Sequence, residues 1–196
     1  MNIEVIPATA DRFDDLAAIL SPKMNGKACW CLYYRLNSSD YRQVLDQERF
    51  DYVRDLMRET PPPGLLAYVE GEPAGWCGMG PRSSMGRLER SQTIPKIDDA
   101  PVWSIVCFTV RAGYRRQGLT HILLESAIAF AREYGAVGLE AYPIEVGEKR
   151  APSYASYVGT TAMFTAAGFH TVTKTRSKSG HMPRWLMRLE LNQTDA

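Results

Sequence analysis

Residues Val102–Tyr134 read VWSIVCFTVRAGYRRQGLTHILLESAIAFAREY, and the order of features in this stretch decides the fold. Val102–Val110 is apolar at nearly every position, as a central strand covered on both faces requires. A turn follows in which Arg115-x-x-Gly118-x-Thr120 gathers positive charge and backbone N–H groups at the start of a helix. That is where a pyrophosphate is best held, because the first N–H groups of a helix have no partner within it. Gly118 has no Cβ, so the chain there approaches a phosphate closely and takes torsions that other residues avoid. Leu119, Ile122, Leu123, Ser126, Ala127 and Phe130 then recur at steps of three and four, which predicts an amphipathic helix. An Arg-rich turn alone is often a solvated corner. A buried strand before it and a periodic helix after it favour a phosphate-binding turn.

The rest of the chain builds outward from this unit. With 196 residues it is long enough for one well-packed domain, and a single domain over 1–196 is expected. The formal charge of +1 supplies no general attraction to nucleic acid or to an anionic membrane surface. No apolar run approaches the roughly 20 residues that span a bilayer, and the N-terminus lacks the basic start and apolar core of a signal peptide. A cytoplasmic protein is the expectation. Its four cysteines show no secreted disulfide framework, and Cys29-Trp30-Cys31 lacks the second ligand pair that a zinc site needs. No metal is expected.

Ile3–Ile6 alternates as a strand, and a helix ending before Pro22 follows. Pro22–Ser39 has no clean period and reads as a loop. Ser39 or Asp40 is a candidate cap for one helix running to Glu59, stopped by Pro61-Pro62-Pro63-Gly64. Leu65–Val69 and Pro73–Gly80 flank a tight turn, a hairpin signal. Pro81–Ala100 is polar and broken by Gly and Pro, so it reads as a long connection. Beyond the central helix come a strand at Val137–Tyr142, a second long loop at Pro143–Gly159 and a short helix at Thr160–Ala167. Two closing strands, Phe169–Thr175 and Arg184–Leu191, complete the set. The fold class is therefore α/β (α+β), a mixed sheet of about seven strands flanked by about four helices.

The turn RRQGLT, with the strand and helix around it, resembles motif A of the GNAT N-acetyltransferases, whose usual pattern is Arg/Gln-x-x-Gly-x-Gly/Ala; the last position here is Thr120. Met163-Phe164-Thr165-Ala166-Ala167-Gly168-Phe169 resembles the family's late signature, a short helix followed by Gly-Phe. The element order is similar to that of the whole family fold. This resemblance implies acetyl-CoA as cosubstrate, with its pyrophosphate on the amides of Arg115, Arg116, Gln117, Gly118, Leu119 and Thr120. It implies that the pantetheine arm pairs with the backbone of Phe108, Thr109 and Val110. It further implies direct attack on the thioester by an amine of a small molecule or a protein, in a monomer or homodimer.

The chain departs from the family at two catalytic positions. The tyrosine that commonly protonates the leaving thiolate is matched by Phe164; Tyr157 is the candidate acid in its place, with Tyr154 and Tyr142 as weaker ones. The central strand carries no glutamate. Glu140, on the neighbouring strand, is the candidate base, with pairing to an arginine as the structural alternative. These departures keep a second reading open, that of a non-catalytic acyl-CoA-binding or regulatory module. Acidic and basic residues mix in the loops beside the cleft (Arg82, Arg87, Glu89, Arg90, Asp98, Asp99, Glu145, Glu148, Lys149, Arg150), so the charge of the acceptor is not legible. Trp30, Tyr33 and Tyr34 read as a cation-attracting wall or as core.

Overall fold

A computed structural model describes residues 2–22, 28–44, 46–147 and 154–191, the side chains of residues 46 and 47 excepted. The strands are β1 (Ile3–Pro7), β2 (Gly64–Val69), β3 (Glu72–Pro81), β4 (Trp103–Val110), β5 (Gly138–Ala141), β6 (His170–Ser179) and β7 (Met182–Glu190). The helices are α1 (Phe13–Leu20), α2 (Ser38–Gln43), α3 (Asp46–Leu56), α4 (Gly86–Glu89), α5 (Leu119–Glu133) and α6 (Thr161–Ala166). All seven strands join one sheet in the order β1-β2-β3-β4-β5-β7-β6. Only the β4–β5 pair is parallel, because α5 carries the chain across one face between them.

Both faces of the sheet are covered, which is why β2 is buried at every position. Successive side chains alternate between two cores. Leu65, Ala67 and Val69 pack with Leu119, Leu123 and Ala127 of α5. Leu66, Tyr68 and Trp76 pack on the other face with Leu16 of α1 and Val53 of α3. The buried stripe of α5 is Leu119, Leu123, Leu124, Ala127, Phe130 and Ala131. Ile122 and Ser126, expected in it, are only half-buried. A 3.6-residue period allows either stripe, and the sheet beneath selects one. Gly75 lets α5 come close, since a Cβ there would stand 3.2 Å and 3.3 Å from methyl groups of Leu123 and Leu119.

Three expectations need correction. The single helix to Glu59 is two helices, α2 and α3, because Val44 takes an extended conformation between them. Asn37, rather than Ser39 or Asp40, caps α2; its Oδ1 accepts from the N–H groups of Ser39 and Asp40, both at 3.0 Å. The connection 81–100 also carries local structure, a 3-10 turn at Arg82–Ser84 and the short α4, pinned by the buried Met85, Leu88 and Ile94. Among the described residues no helix is long and apolar enough to cross a membrane.

The sheet opens at its centre. β4 pairs with β5 only through Trp103, Ser104 and Ile105. The β3–β4 register slips between Gly78, opposite Cys107, and Met79, opposite Ile105, so Val106 is the extra residue of a bulge. From Val106 to Val110 the edge of β4 that faces away from β3 has no strand beside it among the described residues. The chain leaving β5 turns toward β7, where Trp185 N–H donates to Pro143 O at 3.0 Å.

Candidate active site

The turn after β4 is shaped by two left-handed residues, Arg116 at φ 62° and Gly118 at φ 81°. Such torsions turn successive backbone N–H groups toward one side and make an anion-binding concavity. A Cβ on Gly118 would meet nothing within 4 Å, so the space over this glycine is open. Gly118 also occupies the N-cap position of α5, and no side chain caps that end. The free amides therefore remain available to an anion. Arg115 lies along the turn, its Nε donating to Val110 O at 3.0 Å.

A cleft of about 1320 Å³ runs from the open edge of β4 over this turn. That exceeds the roughly 300–1,000 Å³ of ordinary small-molecule pockets and suits an elongated ligand. Phe108, Thr109, Val110, Arg115, Arg116, Gly118, Leu119 and Thr120 line it. Of the residues expected there, Gln117 alone is absent from the lining; its amide donates back to Gly113 O at 3.2 Å. The opposite wall is formed by Val146, Ser156, Tyr157 and Gly159–Met163. Phe164 does not reach the cleft. It is fully buried between Phe108 and Phe169, with ring centroids 6.2 Å and 5.0 Å away.

On the other side of the sheet lies a smaller pocket of about 370 Å³, bordered by Tyr33, Tyr34, Arg87, Arg90, Thr93, Tyr157, Lys178 and Arg184 among others. Tyr157 borders both cavities. It stands on a 3-10 turn, Ser156–Val158, packed against β4 where β5 has diverged. Burial first, and then the neighbouring Tyr34, push its hydroxyl above the ordinary phenol range. It therefore keeps its proton at any physiological pH.

Glu140 lies inside an ion-pair network. It is 1% exposed and held from both sides: Arg188 Nη2 donates to its Oε1 at 2.6 Å, and Arg82 Nε lies 3.2 Å from its Oε2. Tyr142 donates its hydroxyl proton to the same Oε2 at 2.9 Å, so Ser104, 2.8 Å from that hydroxyl, must donate to Tyr142. Arg82 and Arg188 pair onward with Glu89 and Asp98. Glu140 borders neither cavity. The structure thus shows the arginine pairing that stood above as the alternative to a catalytic role.

Trp30 is core, stacked on Phe13, whereas Tyr33 is exposed and lies under Arg87, 4.1 Å from ring centroid to guanidinium carbon. Cys31 is buried and accepts from Trp76 Nε1 at 3.0 Å; contact with Cys107 and burial push its thiol upward, so it packs as a protonated group. Among the described residues no cluster of His, Cys, Asp and Glu could hold a metal. Glu148, Lys149 and Arg150 lie outside the described residues. Lys178 and Arg184, which border the smaller pocket, belong to no motif in the sequence. The signal for Arg184 was the alternation Arg184-x-Leu186-x-Arg188, which puts charges on the same inward face as a leucine.

The model of the acetyltransferase (GNAT) family matches residues 30–158. No curated protein matches the chain in sequence. Solved structures do match in fold. An N-acetyltransferase from Staphylococcus aureus Mu50 superposes with a TM-score of 0.57 at 15% identity, covering 97% of this chain and 99% of that one. Salmonella typhimurium yncA, solved with its cofactor acetyl-CoA, gives 0.59 at 15% identity over 100% and 98%. The paia N-acetyltransferase of Thermoplasma acidophilum, in complex with coenzyme A, gives 0.55 at 13% identity over 97% and 100%.

Proposed function

Because the chain belongs to the acetyltransferase (GNAT) family, we propose that it transfers the acetyl group of acetyl-CoA to the primary amine of a small molecule or a protein. The reading includes a single domain over 1–196 and a cytoplasmic setting. The observation that carries it is the combination of three features: the Arg115–Thr120 turn, the open edge of β4, and a second pocket that shares Tyr157 with that cleft. The solved relatives bound to coenzyme A and acetyl-CoA support it.

Acetyl-CoA supplies an activated acetyl group as a thioester; a neutral amine forms the amide directly as the carbon–sulfur bond breaks, and the proton lost from nitrogen ends on the departing thiolate to give free CoA. The turn amides and Arg115 would bind the pyrophosphate, and the backbone of Phe108, Thr109 and Val110 would orient the pantetheine arm. Amides of β4 would donate to the oxygen that gains charge. Tyr157, always protonated, would hold a hydrogen bond to the departing sulfur. Its raised pKa suits a donor that keeps its proton better than one that gives it away. No carboxylate or histidine borders the acceptor pocket among the described residues, but four cations do, Arg87, Arg90, Lys178 and Arg184. Their field disfavours an ammonium ion and so favours the neutral, nucleophilic amine.

Phe164 and the buried Glu140 favour a second reading, a non-catalytic acyl-CoA-binding module. One experiment separates the cases. Acetyl-CoA and CoA, but not ATP, should raise thermal stability, by about 2.7 kcal/mol at roughly 100 times the Kd. Gly118→Trp, which fills the open space over the turn, should abolish the shift. Release of free CoA on adding an amine panel distinguishes the enzyme from the module. No shift with acetyl-CoA would make the turn a structural corner and end both readings.

A further inference from the structure

We propose that the acceptor is a small amine carrying an anionic group, a carboxylate or a phosphate, and that Arg184 is the residue that recognises it. The inference rests on the acetyltransfer reading and adds the substrate's chemical class.

Arg184 is 2% exposed, a depth at which a charged group is seldom found without a counter-ion. The two other buried arginines obey that rule. Arg82 pairs with Glu89 and Glu140, and Arg188 with Asp98 and Glu140. Arg184 has no ion pair among the described residues. Its Nε donates to Tyr142 O at 2.7 Å and its Nη1 donates to the Tyr34 hydroxyl. Both partners are neutral, and Nη2 is buried with no hydrogen-bond partner among the described residues. A guanidinium held in this state is desolvated, oriented and one charge short of neutrality.

Its surroundings share the imbalance. Arg184 borders the 370 Å³ pocket together with Arg87, Arg90 and Lys178, and no Asp or Glu is present among the described residues of that lining. Arg87 is itself set in place, stacked on Tyr33 and Tyr41 at 4.1 Å and 5.4 Å. Such a pocket repels a simple alkylamine and a polyamine, whose charges are positive. It accepts an amine whose own anion satisfies Arg184 while the nitrogen lies toward Tyr157, the residue shared with the cofactor cleft. The volume lies near the lower end of small-molecule pockets, so the substrate is of about amino-acid size.

The test compares matched amines in the presence of acetyl-CoA: free amino acids against their carboxamides, and O-phosphoethanolamine against ethanolamine. The first pair reports a carboxylate and the second a phosphate. Charged acceptors should exceed their neutral partners by about tenfold to a hundredfold in kcat/KM, the range of a charge-assisted hydrogen bond. Arg184→Met should bring the better ratio toward one while acetyl-CoA still stabilises the protein, and Arg184→Lys should keep part of it. If Arg184→Met does not fold, the exposed Arg90→Gln and Lys178→Gln should each lower the ratio by about two- to fivefold. A wild-type ratio of one or below, or a ratio that survives these substitutions, overturns the proposal. A protein that acetyl-CoA does not stabilise sinks the acetyltransfer reading instead. In that case, or without turnover, the same pairs are compared by thermal shift alone, and equal shifts, including none, overturn the anion site.

Discussion

Arg184 and Arg188 sit on one strand, four residues apart, on the same face, with Leu186 between them. Both are more than nine-tenths buried. Arg188 meets Glu140 and Asp98, whereas Arg184 meets a carbonyl, a phenol and the rings of Tyr34 and Tyr142. The pair shows how one fold treats the same side chain in two ways. Where the charge serves the structure, its partner is built in. Where it borders a pocket, the partner is left to a ligand, and the protein bears the cost of an unpaired charge until one arrives.

The difference is open to attack at three points. The largest effect should follow Glu140→Gln or Arg188→Met, each leaving a buried charge poorly compensated, at a cost of about 3–5 kcal/mol in urea unfolding. A loss below about 1 kcal/mol in both would mean that these charges are not coupled as the contacts imply. Arg184→Met should cost less, about 1–3 kcal/mol, because only hydrogen bonds to neutral acceptors are lost. An equal loss at the two arginines would erase the distinction between them. Smallest in energy, Tyr157→Phe should lower turnover about tenfold, the worth of one hydrogen bond, with acetyl-CoA affinity unchanged.

The pH–rate profile of the wild type sharpens the same point. Burial and Tyr34 hold the Tyr157 proton above the ordinary phenol value of 10, so activity should not fall through pH 10 on its account. The acidic limb should instead move with the pKa of whichever acceptor amine is used. A limb fixed at one pH for amines of different basicity would reveal an enzyme base outside this scheme.

Much of the fold was legible because its signals are local. The run Val102–Val110, Gly118 at a helix start and the stepwise apolar face of α5 lie within 33 consecutive residues of the sequence, Val102–Tyr134. The cofactor cleft inherits that legibility, since its phosphate end is main chain from one continuous turn. The acceptor pocket has no such advantage. Tyr34, Arg87, Tyr157 and Arg184 come from stretches far apart and meet only after the sheet has formed. Glu140 shows the same limit at one position. An inward charge on a strand announces that something will oppose it, but the opposing Arg82 and Arg188 are 58 and 48 residues away in the chain, and no local pattern connects them. The break at Val44 is hidden in the sequence for a different reason. The apolar period continues across it, and a change of torsion at one residue leaves the period intact.

The bulge at Val106 has a consequence for how this protein behaves in a crowded solution. Where β4 parts from β5, a strand edge lies exposed in the middle of a sheet, and unpaired edges are templates on which other chains add and aggregates grow. Here the template is recessed. The Ser156–Val158 turn packs against β4 and α6 follows, so part of this edge is covered. Recessing an open edge in this way is one means by which a sheet limits the addition of further strands.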